Sequence, residues 1–281
     1  MKILTLNVFM RPTCVNSYLN SIKSYWSGNI YFKDIFKGDF KNDRFNKLLE
    51  IIKEEEYDVV CLQELFSDGI TTRISKIKNF SAKNNYYLYF PLDIKMCQSF
   101  TTSGLCIMSK YPIIDSNFVE YNTSVFFPNI FSNCGFQHIK IKKDDNVINL
   151  INLHLQSGFS EKQNNIRYNQ INEIYDYLEK KNIGKENIII TGDFNANLKL
   201  WKYINHKFDS FKDPFENSML NDVYTFKYFG KNEIQRFDGI IYNLPNLDYK
   251  ELKSIIDPIK IDKIGYFENI SDHYGIVTEI N

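Results

Sequence analysis

The chain has no pair of cysteines at C-x-x-C spacing; Cys14, Cys61, Cys97, Cys106 and Cys134 are scattered singly and odd in number. That pattern argues against a cysteine-built zinc site and favours reduced, partly buried thiols over a disulfide framework. It also lacks an excess of either charge, because Lys+Arg 34 balances Asp+Glu 34. Without a global positive field there is no general attraction for polyanions, so nucleic acid is the less expected partner. No stretch nears the roughly 20 apolar residues of a membrane span. The apolar start, Met1 to Val8, gives way to Arg11 and Pro12, which is too short a run for a signal peptide. The expectation is a cytoplasmic protein whose membrane contacts are peripheral. Solenoid-type repeats and low-complexity linkers are missing as well.

What is present suits a globular enzyme. The 281 residues are 43% hydrophobic and 16% aromatic, enough for a sizeable core in one layered α/β domain spanning 1–281, expected to be a monomer. Ile3, Leu4, Leu6 and Val8 read as a first strand with Asn7 near its end. Residues 9–43 lack periodicity and read as a long surface insertion, with a short helix at most. Phe45, Leu48, Leu49 and Ile52 fall on one face of a helix over Arg44 to Glu56. A buried strand, Asp58 to Leu62, then runs into Gln63 and Glu64.

Residues 70–83 read as a helix, Tyr86 to Phe90 and Ser103 to Ser109 as strands, with Tyr111-Pro112 stopping the second. Gly135 to Ile141 and Val147 to Leu153 flank the turn Lys142 to Asn146 as a hairpin that delivers His154. Asn165 to Asn182 reads as an amphipathic helix leading to the strand Ile188-Ile189-Ile190 and the turn Thr191-Gly192-Asp193-Phe194-Asn195. Near the end, Asp238 opens one strand and Ser271-Asp272-His273 precedes the last. One stretch is unusual: Val125, Phe126, Phe127, Ile130 and Phe131 surround a proline among turn residues. Such a loop either folds onto the core or is presented to an apolar partner.

Taken singly, Asn7 is equally a turn residue, Glu64 a solvated strand-end acid, His154 a hydrogen-bonded strand end and Asp193 with Asn195 a cap. Collected, Asn7, Glu64, His154, Asp193, Asn195, Asp238, Asp272 and His273 make an oxygen-rich site at strand ends. Carboxylate and amide oxygens without thiolates suit a hard cation such as Mg²⁺ or Mn²⁺, which acts as a Lewis acid on a phosphoryl oxygen. The two histidines supply proton transfer and charge stabilisation, which phosphodiester cleavage requires.

The ordered set Asn7, Gln63-Glu64, His154-Leu155, Gly192-Asp193-Phe194-Asn195, Phe237-Asp238-Gly239-Ile240 and Ser271-Asp272-His273 resembles the exonuclease-endonuclease-phosphatase superfamily. The closer resemblance is to neutral, Mg²⁺-dependent sphingomyelinases of bacterial type. It is carried by Leu62-Gln63-Glu64-Leu65-Phe66, Ser103-Gly104-Leu105, Gly135-Phe136, His154-Leu155-Gln156 with Arg167 and Gln170 downstream, and Ser271-Asp272-His273-Tyr274-Gly275. The resemblance implies a four-layer α/β/β/α sandwich with two packed, mostly antiparallel sheets and the active site at one edge. It makes Glu64 the main metal ligand with Asn7 near it, and has Asp272 support the metal or His273. His273 becomes the general base oriented by Asp238, Asp193 positions the attacking water, and Asn195 and His154 bind the scissile phosphate. A carboxylate beside His273 would fix its tautomer and raise its basicity. Two departures stand out: Cys134 replaces the Lys usual in the Ser-Asn-Lys-Gly segment, and Gly239 follows Asp238 where Tyr is usual.

The activity implied is a phospholipase C-type phosphodiesterase acting on sphingomyelin or a related phospholipid, with Val125, Phe126, Phe127, Ile130 and Phe131 as the candidate membrane contact. An endonuclease or abasic-site repair enzyme of the same superfamily is the alternative; an inositol-polyphosphate phosphatase and a non-catalytic binding module are weaker ones.

Overall fold

The computed structural model describes residues 1–10, 40–66, 73–91, 102–126, 129, 132–227, 234–265 and 267–281. In chain order the elements are β1 Lys2–Met10, α1 Lys41–Glu54, β2 Val59–Leu65, α2 Arg73–Lys83, β3 Tyr87–Tyr89, β4 Cys106–Ser109, β5 Ile113–Glu120, β6 Gly135–Lys143 and β7 Asn146–His154. There follow α3 Glu161–Lys181, β8 Ile188–Asp193, α4 Leu198–Lys207, α5 Leu220–Val223, β9 Phe226–Lys227, β10 Ile234–Gln235, β11 Asp238–Asn243, β12 Leu252–Asp257, β13 Lys260–Ile264, β14 Phe267–Asn269 and β15 Gly275–Ile280.

One sheet has the order β12-β15-β1-β2-β4-β3 and the other β11-β8-β7-β6-β5. Each is antiparallel except for one pair, β1 with β2 and β7 with β8. A helix, α1 or α3, lies between the two strands of each parallel pair, as a parallel connection requires. The core divides into three clusters, which is the signature of four layers. Leu4, Leu6, Val60 and Leu62 pack with Phe45, Leu48 and Ile77 of the first pair of helices. Ile151, Leu153, Ile188 and Ile190 pack with Ile171, Ile174, Trp201 and Ile204 of the second pair. Between them Ile3, Val59, Cys61, Leu150, Ile189 and Ile240 form the seam where the sheets face each other.

Alternation along each strand decides where the polar ends point. Successive side chains take opposite faces, so Asn7 shares the seam-facing parity of Ile3, Gln63 that of Cys61, His154 that of Leu150, Asp193 that of Ile189 and Asp238 that of Ile240. Glu64 has the wrong parity. Its backbone is left-handed, φ 57°, and that break in the alternation turns its carboxylate back toward Asn7. Left-handed backbone at a non-glycine residue is a strain that clusters at functional sites.

Buried amides cross the seam below the site. Gln63 Nε2 donates to Asn152 Oδ1 at 2.7 Å, and Asn152 Nδ2 donates to Gln137 Oε1 at 3.0 Å and to the Leu62 carbonyl at 3.1 Å. All three amides are fully buried. Each is satisfied in part by an amide of another strand, and these bonds tie the two sheets in register.

Several boundaries differ from the sequence expectation. The hairpin turn is only Asp144-Asp145, Asp144 lying at φ 53°, and the flanking lysines belong to β6. Helix α3 begins at Glu161, set by a capping box between Ser160 and Gln163. Residues 41–43, expected in the insertion, open α1, while 11–39 of that insertion lie outside the described residues, as do 70–72 of the expected second helix.

Candidate active site

Asp193 is the hub. Its Oδ2 accepts from Asn7 Nδ2 at 2.9 Å and lies 3.5 Å from His154 Nε2 and 3.9 Å from His273 Nε2. Its Oδ1 accepts from the Asn195 backbone N–H at 2.8 Å, an Asx turn that explains the Asp-x-Asn spacing. Asn195 itself sits at φ 47°, and its Nδ2 donates to the Leu155 carbonyl at 3.1 Å, one residue past His154. Gly192 has φ 139°, and a Cβ there would stand 2.1 Å from the Leu153 carbonyl oxygen; only glycine lets β8 approach β7 so closely.

Asn7 joins the two sheets. Its Nδ2 reaches Glu64 Oε1 at 3.2 Å as well as Asp193, while its Oδ1 accepts from the Phe9 N–H at 3.0 Å. In this orientation the amide donates to both carboxylates and its oxygen faces away from them. Ser271 Oγ donates to the Asn7 carbonyl at 2.6 Å, accepts from the His273 N–H at 3.3 Å and lies 3.3 Å from Asp272 Oδ1, drawing the segment before β15 against the end of β1.

His273 Nδ1 and Asp238 Oδ2 are 2.8 Å apart, both residues buried. Burial alone pushes the imidazole pKa down, but Asp238, Asp193 and Asp272 outweigh it and hold it well above the ordinary value. Burial also raises the Asp238 carboxyl, against the pull of His273. The proton of the pair thus resides on the imidazole, whose negative neighbours come from both sheets. Thr225 Oγ1 accepts from the N–H groups of Phe237 and Asp238, both at 3.0 Å, and its carbonyl accepts from Tyr274 N at 2.7 Å. Phe226 lies 4.9 Å from the His273 ring and 5.0 Å from Phe237, and the exposed Phe159 lies 6.0 Å from Phe237. Sequence reasoning missed Thr225, Phe226 and Phe159; a Thr-Phe pair twelve residues before an acid carries no periodic signal.

The structure brings together Asn7, Glu64, His154, Asp193, Asn195, Asp238 and His273, with Asp272 at their edge. Atoms of Asp193, Asp238 and His273 lie within 4.8 Å of one another. Of these, the His273–Asp238 contact has hydrogen-bond geometry. The donors fit a hard divalent cation: the carboxylate oxygens of Glu64, Asp193, Asp238 and Asp272 dominate, and no thiolate takes part.

The two departures have local explanations. Gly239 lies under Trp201, and a Cβ there would stand 2.1 Å from the indole ring. Cys134 is half-buried, donating to the Asn129 carbonyl at 3.4 Å, and burial pushes its thiol up, so it is a neutral packing group. Gln156, Arg167 and Gln170 brace the loop after His154: Arg167 donates to the carbonyls of Gln156 and Gly158 at 2.6 and 2.8 Å, and Gln170 accepts from Gln156 N at 2.9 Å.

The sequence model of the Endonuclease/Exonuclease/phosphatase family matches residues 4–273, and the chain belongs to that family. Its relatives include proteins named phospholipase C and sphingomyelinase C, and its structural neighbours include TDP2 as well. A phospholipase C of Staphylococcus aureus is 31% identical over 277 residues, spanning 82% of this chain and 79% of the relative. The crystal structure of SmcL superposes with a TM-score of 0.76 at 19% identity, covering 100% of this chain and 99% of that one. A Staphylococcus aureus beta toxin variant with bound magnesium ions superposes with a TM-score of 0.69 at 22% identity, covering 99% and 98%.

Proposed function

We propose that the protein is a divalent-metal-dependent phosphodiesterase of phospholipase C type, acting on sphingomyelin or a related phospholipid at a membrane surface. The observation that carries this reading is the buried His273–Asp238 pair at 2.8 Å, its Nε2 turned toward Asp193, which Asn7 ties to Glu64 across the seam. Asp238 holds the Nδ1 proton, which fixes the tautomer and leaves Nε2 as the atom that exchanges a proton with water. Asp193, between the two imidazoles, positions that water. As it attacks phosphorus, the bond to the lipid oxygen breaks, that oxygen takes up a proton and leaves as the lipid alcohol, and the phosphorylated head group is released. His154 and Asn195 bear on the phosphate.

Glu64 would hold the cation, Mg²⁺ or Mn²⁺, with Asp272 in support; Asn7, whose Nδ2 faces Glu64 and whose Oδ1 accepts from the Phe9 N–H, would ligate only with its amide turned over. When bound the cation supplies Lewis-acid polarisation of a phosphoryl oxygen and offsets the carboxylate charge that raises His273. The magnesium ions of the beta toxin structure and the phospholipase C name of the Staphylococcus aureus relative support the assignment.

For the membrane contact, Phe126 is 40% exposed and Phe159 65% exposed, both on loops tied to Gln156 or packed by Phe237. Lys162 Nζ lies 4.2 Å over the Phe126 ring, an aromatic and a cation suited to the headgroup boundary. Val125 is half-buried, and Phe127, Ile130 and Phe131 lie outside the described residues. Among the described residues no helix is long and apolar enough to cross a membrane.

The test is incubation with sphingomyelin vesicles, lysophospholipid, plasmid DNA and an inositol phosphate in turn, each with Mg²⁺ and with EDTA. The expected result is Mg²⁺-dependent release of phosphorylated head group from the vesicles, abolished in His273→Ala. Nicked plasmid with untouched vesicles would replace this reading by a nuclease, and an active His273→Ala would refute the base.

A further inference from the structure

Arg44 is fully buried on α1, a position where an arginine needs a reason. Its Nη1 donates to the Ile270 carbonyl at 2.7 Å and the Val8 carbonyl at 3.0 Å, and its Nη2 to the Phe9 carbonyl at 2.8 Å. The guanidinium lies 4.3 Å from the Phe267 ring and 5.7 Å from that of Phe9. These acceptors are not scattered. Val8 and Phe9 directly follow Asn7, and Ile270 directly precedes Ser271-Asp272-His273.

We infer that Arg44 is a positioning residue that sets Asn7 and His273 in relation to each other through a single guanidinium fork. The inference rests on the phosphodiesterase reading of the site. Two short routes lead from the fork to the chemistry. On one side, Phe9 is held by its carbonyl in a left-handed conformation, φ 52°, and its N–H fixes Asn7 Oδ1. That directs Asn7 Nδ2 at Glu64 and Asp193. On the other side, the Ile270 carbonyl fixes the approach of the Ser271-Asp272-His273 segment, whose His273 meets Asp238. The planar fork serves both segments at once from Nη1 and Nη2, whereas an ammonium presents its three donors from a single nitrogen. Partners hydrogen-bonded to a metal ligand commonly change affinity or activity by about 10–100-fold when lost, and Arg44 stands one bond behind such a partner, the Phe9 N–H on Asn7, which puts its effect at the lower end of that range.

Arg44→Lys keeps the charge and removes the fork, and Ser271→Ala removes the second tie between the same two segments. Three measurements apply to both: Mn²⁺ affinity by calorimetry, the low-field proton signal of the His273–Asp238 hydrogen bond by NMR, and kcat against KM on whichever phosphodiester the wild type cleaves. Expected are an Mn²⁺ affinity weaker by about tenfold or more, a shifted or broadened low-field signal, and a lower kcat at unchanged KM. Should Arg44→Lys fail to fold, Ser271→Ala must show the same signature. Wild-type Mn²⁺ affinity and an unmoved low-field proton, with only the melting temperature lowered, would overturn the inference and leave Arg44 a stabilising residue. A wild type that cleaves no phosphodiester would refute the proposed function, yet the NMR comparison would still decide the role of Arg44.

Discussion

Asn152→Leu tests the idea that the buried amides hold the two half-sites in register. The substitution keeps the count and branching of side-chain heavy atoms and removes every polar contact of that side chain. Gln137 Oε1 then loses its donor at 3.0 Å in a fully buried position, and the 2.7 Å bond from Gln63 is lost. A stranded buried acceptor costs about 1–3 kcal/mol and a lost hydrogen bond about 0.5–1.5, so a destabilisation of about 2–4 kcal/mol is expected. At about 2.1 cal/mol/K of unfolding entropy per residue, a chain of this length should lose roughly 3–7 °C in Tm. Catalysis should fall as well, because Gln63 adjoins Glu64 and Asn152 lies two residues before His154 on the same face of β7. Calorimetry and kcat on the wild-type substrate measure the two effects. The double variant Asn152→Leu with Gln137→Leu should show a coupling of about 1–3 kcal/mol, since removing both partners strands neither. A Tm within about 1 °C of wild type, or no coupling in the cycle, would refute the reasoning.

Gly239→Ala should cost about 1–3 kcal/mol in urea denaturation, because the added carbon falls 2.1 Å from a Trp201 ring held by its bond to the Arg236 carbonyl at 2.7 Å; Trp201→Leu in the same chain should restore part of the loss. His138 is buried between Tyr177 and Asn149, and burial lowers its pKa from 6.5 against the opposing Asn149 bond, with Lys140 and Lys181 lowering it further and Asp115 raising it. Its folded value lies below its unfolded one, so stability is complete above the unfolded pKa and is lost as pH falls from there through the folded value. Melting curves across that window should show a decline that His138→Gln flattens, and parallel curves would show that another group titrates. Phe126→Ser with Phe159→Ser should weaken vesicle binding and leave turnover of a soluble phosphodiester intact; equal losses on both would place the rings in the catalytic centre.

Much of the site is legible because strand alternation projects it. Once Ile3, Leu150, Ile189 and Ile240 are assigned to a seam, the parity of Asn7, His154, Asp193 and Asp238 follows from spacing alone. The four-layer arrangement followed the family resemblance, and the three core clusters bear it out. Glu64 is different: parity sends it to the helix side, and only its left-handed φ brings it back, which no pattern of residue types encodes. Thr225 and Arg44 escaped notice for a related reason, since both act through backbone groups of residues far away in sequence. The edge strand β5 was missed because its exposed face shows no apolar alternation, and α4 because Asn197, its N-cap, reads equally well as a turn residue.

The seam also bears on how the molecule acquires competence. His273 leads into a strand of one sheet, and Asp238 opens a strand of the other. Neither layered half by itself contains both a base and the acid that orients it. During refolding, turnover should therefore lag behind the far-ultraviolet signal of helices and strands and coincide with the docking of the two halves, so that enzymatic activity serves as a clock for that last event.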